Sequence, residues 1–446
     1  MLRAGLLGLL VALAPLQATA QPSPPATAIS VDAARDLIFV LLQSGNPAAA
    51  ADAAQAVLTA QPGDVPAWLG LSQAHLMMGQ ATPAARAGRK AWAAAKTPND
   101  RYASAMVTAR ALSADNRKTL AQLWLRRAYQ VAPNASAKRT AAISLRQLRA
   151  NTPLHVRLDF GIEPTNNING GARSEQVHGG TISGTSLALS GVEYSAAARL
   201  TYSLPPSGRT SHALTFAGIT RHYTLSDEAQ ATAPNASGSD FAFQEVELGW
   251  RTRYALPKAR VGHTISFGKS WSGGDPLSNF RGLTLDWSRA LSPRQGLSLR
   301  YEYEIQDRLD ADIRSSTLNA LSATWTARAR QGVFSATARL ADKASDSATI
   351  DYDAASLSLS YAPREAWIGT NTRLTAFFET RDYPQPIFFG QRTDDTRALT
   401  LDITFGDINY YGFAPTVEIS ARRTESTVDL YDADTLSVGF GLTSLF

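Results

Sequence analysis

The sequence predicts an α+β multidomain chain, in which an N-terminal α-helical tetratricopeptide-like solenoid precedes a C-terminal antiparallel transmembrane β-barrel of about 14 strands. Apolar residues recur at helical spacing before Asn151 and at every second position after it. The connections between the alternating segments also switch between short and long. We therefore predict four regions: a signal peptide at 1–20, a linker at 21–29, a helical domain at 30–150 and a barrel at 151–446.

The first residues are typical of a secretory signal peptide. Arg3 precedes an apolar run, and the small residues Ala18, Thr19 and Ala20 follow it. The run is too short to span a bilayer as a helix, so we expect cleavage before Gln21. The chain has no cysteine, which excludes disulfides, thiolate metal sites and cysteine nucleophiles.

The helical region contains a repeat. Gly45 and Gly79 are 34 residues apart, and proline recurs at similar spacing at Pro62, Pro98 and Pro133. This period resembles that of tetratricopeptide repeats, in which small residues let two antiparallel helices pack closely. The alternative is a plain alanine-rich bundle. Either structure lacks a catalytic pattern, and its expected role is to bind an extended peptide or to act as a scaffold.

The barrel region consists of amphipathic strands, as in 297–305, where apolar and polar residues alternate. A soluble sandwich would share this alternation, but about 14 such segments are more than an open sheet normally holds. The segment 187–204 changes phase, which predicts a bulge or a hidden turn. The predicted short connections are 205–208, 257–258, 292–295, 330–332, 362–365 and 406–412, and the longer ones include 224–240, 272–278, 381–394 and 425–433.

The last segment, 435–446, alternates up to the terminal Phe446. It resembles the final strand that outer-membrane proteins present to the barrel-assembly machinery. Tryptophans near strand ends predict aromatic girdles at the two membrane interfaces, with sheet packing as the alternative. They are Trp250, Trp271, Trp287, Trp325 and Trp367.

If the apolar face of the strands meets lipid, the polar face lines a lumen. This face carries charges of both signs, which predicts a wet interior, because such an array would be very costly in a dry core. The segment 163–171, EPTNNINGG, follows the first strand. A turn accounts for its proline, asparagines and glycines, and a binding role for the asparagines is the alternative.

Other function classes find little support. The chain carries a net charge of +5 with both signs interspersed, and a basic run with interleaved aromatic residues is absent, so we expect no nucleic-acid partner. The six histidines lack metal-ligand spacing. Glu302 and Glu304 share one strand face, where structural or selectivity charges are more common than an acid and base couple. We expect no catalytic residue, no metal and no cofactor.

The whole pattern resembles the surface lipoprotein assembly modulator family, Slam. The resemblance depends on the signal peptide, the short repeat domain, the barrel, and the element PTNNIN at 164–169 after the first strand. Segment 422–431 is similar to the last hairpin of that family, although Ser426-Thr427 stands where a Ser-Asn pair is expected.

The resemblance implies an outer-membrane translocon that delivers client lipoproteins or secreted proteins from the periplasm to the cell surface. Its helical domain would lie in the periplasm and meet the client. The implied partners are the client, periplasmic chaperones, the barrel-assembly machinery and outer-membrane lipid. Candidate client or lumen contacts are Asn166, Asn167, Asn169, Arg251, Arg253, Arg300, Glu302, Glu304, Asp402 and Arg422.

Two alternatives share the predicted architecture. A polysaccharide exporter also joins tetratricopeptide repeats to an outer-membrane barrel, but its repeat region is usually much longer and its lumen favours aromatic or like-charged residues. A passive diffusion porin with a periplasmic tetratricopeptide scaffold is the other alternative.

Overall fold

Helices and strands occupy separate parts of the chain. The computed structural model describes residues 29–177, 180–365, 369–387, 390–408 and 410–444. In these residues a helical repeat region precedes a closed antiparallel barrel of 14 strands, which confirms the predicted fold class. The predicted signal peptide at 1–20 lies outside the described residues, as do Trp367 and Phe446.

Seven helices form the first part of the described chain. Asn46, Asp64, Thr97 and Asn134 each accept a hydrogen bond from the backbone N–H three residues later. These caps satisfy donors that the helix itself leaves open. The helices are α1 (Val31–Gln43), α2 (Pro47–Ala60), α3 (Val65–Met77), α4 (Ala81–Ala94), α5 (Pro98–Ala114), α6 (Lys118–Gln130) and α7 (Ala135–Ala150).

The helices pair through one recurring turn. Gly45, Gly79 and Asn116 adopt positive φ angles of 74°, 74° and 56°, the conformation that ends a helix in a tight turn. In each turn the next residue donates its N–H to the carbonyl five positions earlier, at 2.8 to 2.9 Å. Asparagine takes the place of glycine in the third turn because it tolerates this conformation better than most residues. The pairs α1–α2, α3–α4 and α5–α6 therefore repeat one motif.

The barrel strands follow one another around the wall. Each pairs antiparallel with its neighbours, and β16 pairs with β1 to close the barrel. β2 and β3 form a separate hairpin, and a helix, α8 (Asp227–Thr232), lies between β5 and β6. The strands are β1 (Leu154–Thr165), β2 (Gln176–Val177), β3 (Gly180–Thr181), β4 (Gly191–Ser203), β5 (Thr210–Leu225), β6 (Phe243–Ala255), β7 (Arg260–Ser272), β8 (Asp275–Ser292), β9 (Gln295–Arg308), β10 (Ser316–Arg328), β11 (Gly332–Ser345), β12 (Tyr352–Pro363), β13 (Asn371–Ile387), β14 (Gly390–Thr404), β15 (Phe413–Ser426) and β16 (Ala433–Ser444).

The two ends of the barrel differ in their connections. At the short-turn rim, connections such as 256–259 and 293–294 are brief, and this is the end where β1 begins and β16 ends. At the opposite end, the long-loop rim, connections such as 166–190 and 226–242 are much longer. The helical region therefore joins the barrel at the short-turn rim.

Three expectations for individual segments were wrong. Between β7 and β8, Gly273 and Gly274 turn the chain with positive φ angles, so 272–278 is no long connection. Most of 381–394 continues as strand in β13 and β14, because polar residues alternate along an extended hairpin as readily as apolar ones. β4 begins only at Gly191 and holds its register without a bulge, since Leu189 belongs to the preceding loop.

The outer surface of the barrel is apolar, whereas its inner surface is polar. Cross-strand partners lie on the same face, and large exposed side chains repeatedly oppose each other on the outside. Examples are Phe160, Ile162, Leu214, Leu248, Phe267, Leu285, Leu321, Leu340, Leu399 and Phe440. This is the apolar band of an outer-membrane β-barrel. None of the helices in the described residues is long and apolar enough to cross a membrane.

The described tryptophans face outward. Trp250, Trp287 and Trp325 lie nearer the short-turn rim than the long-loop rim, and Trp271 lies near the long-loop rim. Trp250 and Trp325 are well exposed on the lipid-facing surface. Their positions are those of interfacial aromatic girdles.

Candidate functional site

The inner wall of the barrel carries charges on nearly every strand. Alternation and register place the following side chains on the lumen face. The acidic ones are Asp159, Glu163, Glu193, Glu245, Glu247, Asp286, Glu302, Glu304, Glu379, Asp394, Asp402 and Glu418, and the basic ones are Arg157, Arg199, Arg221, Arg251, Arg253, Arg300, Arg308, Arg339, Lys343, Arg373, Arg381, Arg392 and Arg422.

Several of the predicted lumen residues form one band of ion pairs. Arg300 Nε lies 2.9 Å from Asp286 Oδ1 on the neighbouring strand, and Glu302 on β9 pairs with Arg339 on β11 across the intervening β10. Arg253 lies in the row of Arg300, three strands away along the ladder. The structure therefore brings these predicted residues together on the β6 to β11 wall.

Two other predicted residues lie on a different part of the wall. Asp402 on β14 is flanked in register by Arg373 on β13 and Glu418 on β15. The guanidinium of Arg422 lies 5.5 Å from the ring centroid of Phe377. The charged wall thus combines ion pairs, like-charged neighbours and a cation–π contact.

Arg251 and Glu304 face the lumen one step nearer the long-loop rim than Arg253 and Glu302. Across the described ranges, the acidic and histidine side chains form no group of three or more that could hold a metal ion. A molecule that enters the lumen therefore meets charged and hydrated side chains.

Asn167 and Asn169 organise the first long loop. The Asn167 amide donates to the Gly171 carbonyl at 3.0 Å and accepts from the Gly171 N–H at 2.9 Å. Asn169 donates to the Leu187 carbonyl at 2.7 Å and accepts from the Leu189 N–H at 3.0 Å. Leu189 is fully buried against alanines of the loop between β5 and β6. These contacts account for both amides as loop structure, and client contact by them stays a prediction.

The barrel closes at a seam between β1 and β16. Residues 159–162 of β1 pair with 440–443 of β16, and pairing resumes in the same register at Thr165 and Ser437. Pro164 lies in the interruption. Because proline has no N–H, it cannot donate a ladder hydrogen bond.

The backbone nitrogen of Pro164, which carries no hydrogen, points towards β16. The N–H groups of Leu158 and Asn166 bond Ser444 Oγ at 2.8 Å and the Leu436 carbonyl at 3.3 Å. Alternate N–H groups along a strand point to the same neighbour, so the nitrogen of Pro164 points there too. The Asn166 amide oxygen accepts from the Leu436 N–H at 2.7 Å. Side chains therefore supply part of the bonding at both ends of the seam.

Open space lies on both sides of the seam. Inside, a cavity of about 340 Å³ is bordered by Gly161, Gly439 and Gly441 and by charged side chains that include Glu163 and Glu418. Outside, a mostly apolar groove of about 430 Å³ is lined by Pro164, Val438 and their neighbours. The two spaces lie on opposite faces of the interrupted ladder.

Comparison with known families identifies the chain. Residues 155–442 match the family model described as surface lipoprotein assembly modifier, and residues 41–107 match a tetratricopeptide repeat model. The first match covers more than half of the chain. The chain belongs to the surface lipoprotein assembly modifier family. The predicted family resemblance is thereby confirmed, and the family and fold indicate assembly or transport rather than an enzyme.

Several solved structures are similar to parts of this family member. The type III secretion translocator chaperone SycD of Yersinia enterocolitica is 21% identical, over 28% of this chain and 88% of its own, with a TM-score of 0.25. A bacterial polysaccharide outer membrane secretin is 10% identical over 65% and 98%, with a TM-score of 0.34. A BenF-like porin from Pseudomonas fluorescens is 7% identical over 65% and 98%, with a TM-score of 0.36. No curated protein matches this chain.

A stacked cluster lies on the lumen side of this surface lipoprotein assembly modifier near the long-loop rim. The guanidinium of Arg392 lies 4.0 Å from the ring centroid of Tyr383 and 3.3 Å from that of Tyr431. Arg392 also pairs with Asp394 through three hydrogen bonds. Arg392, Asp394 and Tyr383 are all buried, so the cluster fills space instead of lining an open channel.

The sequence prediction missed this cluster because it assigned 381–394 to a loop. The sequence did contain a feature that could have revealed the cluster. Arg381 and Tyr383 alternate with outward-facing residues, so the lumen face of β13 continues beyond the apolar band. Arg339 was missed as well, because its pairing with Glu302 reaches across β10 and depends on the combined register of three strands.

Proposed function

We propose that this chain delivers acylated client proteins from the periplasm to the cell surface. The family assembles surface lipoproteins, and the barrel is of the outer-membrane type. On this proposal the polar part of the client uses the charged lumen, while its lipid anchor leaves the barrel sideways through the β1–β16 seam. Secreted clients without an anchor would use the lumen alone.

The observation that carries the proposal is the construction of the seam. A lipoprotein joins a polar chain to acyl chains, so its path needs a wet side and an apolar side with a passage between them. The seam has a cavity edged by carboxylates on one side, including Glu163, Asp402 and Glu418. It has an apolar groove on the other side and, at Pro164, one ladder bond fewer between them.

The helical domain is proposed to lie in the periplasm and to meet the client first. It joins the barrel at the short-turn rim, and short turns are periplasmic in outer-membrane barrels. Its repeats fit an extended peptide, and periplasmic chaperones would hand the client to them. Insertion of the barrel would require the barrel-assembly machinery. The lumen contacts remain those predicted, foremost the band around Arg300 and Glu302.

Surface exposure of a client tests the proposal. Cells co-expressing this chain with a tagged lipoprotein should show client digestion by external protease, and cells without the chain should not. A variant lacking residues 30–150 but retaining the signal peptide should keep heat-modifiable barrel mobility and lose client exposure. Unchanged exposure with and without the chain, across lipoproteins encoded beside its gene, would refute the proposal.

The same strains separate the two alternatives. A polysaccharide exporter would change surface sugar and leave lipoprotein exposure unaltered. A passive porin would raise small-solute uptake without any dependence on residues 30–150.

A further inference from the structure

A cavity of about 880 Å³ opens at the short-turn rim, among the ends of strands β6 to β10. The turns 256–259 and 293–294 form its edge. No acidic side chain is among the described residues that line it, and Arg289 borders it from the outward face of β8. We call this space the basic vestibule, after the four exposed cations that border it at the turns or on the lumen face. They are Lys258, Arg260, Arg294 and Arg328.

Backbone hydrogen bonds bring these cations together. The Leu256 N–H donates to the Ala259 carbonyl at 2.9 Å, which closes a tight turn with Lys258 at its tip. The Arg328 N–H donates to the Arg294 carbonyl at 2.8 Å, which places the turn between β8 and β9 beside the end of β10. The cations therefore converge because of the way the strands are paired, and their side chains stay available to solvent.

The four cations lack ionic partners in the part of the chain that the structure describes. None of their side chains forms an ion pair or a hydrogen bond with a described residue. By contrast, Arg300 and Arg339 deeper in the lumen pair with Asp286 and Glu302. Positive charges that converge without carboxylates create a positive potential at the mouth of the barrel.

Two of the vestibule cations face the lumen. Arg260 pairs in register with Ser288, on the face opposite to Trp287. Arg328 lies on the face opposite to Trp325. Because both tryptophans face outward, the two guanidinium groups lie on the water-filled side of the wall. A lipid headgroup at the membrane interface approaches the barrel from the other side, so a water-borne anion fits the vestibule better than a lipid.

The vestibule is continuous with the charged wall of the lumen. Arg253 faces the lumen one step farther from the short-turn rim than Arg260, on the neighbouring strand. Arg253 in turn lies in the row of Arg300. An anionic group bound in the vestibule is therefore next to the band of ion pairs around Arg300 and Glu302.

The two mouths of the barrel differ in charge. The described short turns add Arg209, Arg330 and Arg364 to the vestibule cations, against the acidic Glu365 and Asp407. An acidic segment is therefore attracted at the short-turn rim and repelled at the other rim, which gives its binding a direction along the barrel axis. The described long loops are mostly acidic and include Asp227, Glu228, Asp310, Asp312, Asp429 and Asp432.

We infer that the basic vestibule binds an acidic segment of the client polypeptide as it enters the barrel. Carboxylates of several Asp or Glu residues contact Arg260, Arg294 and Arg328, whose guanidinium groups suit bidentate contact with carboxylate oxygens. An extended peptide fits because the cations come from the ends of several strands. The inference rests on the proposed transport for the identity of the ligand, and it adds the charge that the entering segment carries.

Peptide binding to the full chain in neutral detergent tests the vestibule. A fluorescein-labelled peptide of Asp and Glu spaced by Gly and Ser should bind, with an affinity that falls as salt is added, and the same peptide with Lys in place of the acids should not. The triple variant Arg260→Gln, Arg294→Gln and Arg328→Gln should weaken binding about tenfold or more, since each exposed ion pair contributes about twofold to fivefold. Unchanged binding by this variant would overturn the inference.

The matched control removes equal charge from exposed arginines nearer the long-loop rim. It is Arg281→Gln with Arg314→Gln and Arg397→Gln, and it should bind the acidic peptide as tightly as wild type. Equal loss in this control would indicate an effect of net charge and overturn the inference. Displacement of the bound peptide by dioleoylphosphatidylglycerol at equal charge concentration would assign the vestibule to a lipid headgroup and would overturn it as well.

Charge reversal guards against a folding defect. The variant Arg260→Glu, Arg294→Glu and Arg328→Glu should keep heat-modifiable mobility and bind the Lys peptide instead of the acidic one. Equal binding of the two peptides by wild type would contradict the inference. The cell assay separates it from the proposed function: peptide binding without client exposure would refute the transport and leave the vestibule as a site for acidic peptides. Client exposure with no peptide binding would refute the vestibule site alone.

Discussion

The Thr443 hydroxyl donates a 2.6 Å hydrogen bond to the Asp159 carboxylate across the β1–β16 seam. The two residues oppose each other in the ladder, so cysteines at these positions fit the geometry of a disulfide. The native chain has no cysteine, and an introduced pair is therefore the only one that can form. We predict that oxidised Asp159→Cys with Thr443→Cys reduces lipoprotein exposure to background and that reductant restores it.

The control for the seam disulfide lies on another part of the wall. Thr324 and Thr337 also oppose each other, on β10 and β11, with their hydroxyls 2.9 Å apart. Oxidised Thr324→Cys with Thr337→Cys should deliver the client normally. Normal delivery by the oxidised seam variant, with cross-linking verified by gel mobility, would show that the seam need not open.

Restoring the donor at Pro164 should strengthen the seam. Pro164→Ala adds an N–H directed at β16, and one such hydrogen bond contributes about 1 kcal/mol. We expect the unheated barrel to keep its compact gel mobility to a higher temperature, and client delivery to slow. Removing a proline also increases the entropy of the unfolded chain. Pro276→Ala, in β8 and away from the seam, carries that effect alone. Equal shifts in the two variants would contradict the prediction.

Removing the Arg392 side chain should widen the lumen near the long-loop rim. Arg392→Ala leaves the buried Asp394 carboxylate without its pair, and breaking a buried ion pair costs about 3–5 kcal/mol. It also separates Tyr383 from Tyr431. We expect higher single-channel conductance in planar bilayers and earlier loss of heat-resistant mobility. Arg397→Ala, at a largely exposed outward position on the next part of β14, is the control. Identical conductance of the two variants would exclude a narrowing role for the cluster.

The loop between β9 and β10 should withstand acid. Hydrogen bonding from Arg308 lowers the pKa of the Asp310 carboxyl to about 2, from an ordinary value of about 3.9. Because the folded-state pKa is depressed, the stabilisation is complete above the ordinary value and is lost as the pH falls through about 2. We therefore predict that Asp310→Asn speeds pepsin cleavage at Leu309 at pH 3.5, with the difference from wild type shrinking near pH 2.

Asp312→Asn removes the same charge from the same loop and is the control for that experiment. It should leave cleavage at Leu309 close to the wild-type rate, since the two hydrogen bonds of Arg308 reach Asp310. Equal acceleration in both variants would indicate a general charge effect and contradict the role assigned to Asp310.

The periodicity of the sequence determined the fold class and the sorting of residues between lipid and lumen. Strand side chains alternate with a period of two, so Arg300 and Glu302 had to share a face wherever the strand was placed. Likewise, Gly45 and Gly79 marked the repeated helix pairs, because the turn depends only on local conformation. The prediction from composition was wrong at 381–394, where polar residues were interpreted as a loop although most of them form strands.

Only the tertiary structure decided which of these residues meet. Asp159 and Thr443 are 284 positions apart, and the register that joins them follows from closure of the whole barrel. The same closure directs the backbone nitrogen of Pro164, which has no hydrogen to donate, at β16. Period and turn chemistry are local properties that a sequence carries directly. Contacts between the first and last strands depend on how every intervening strand is paired.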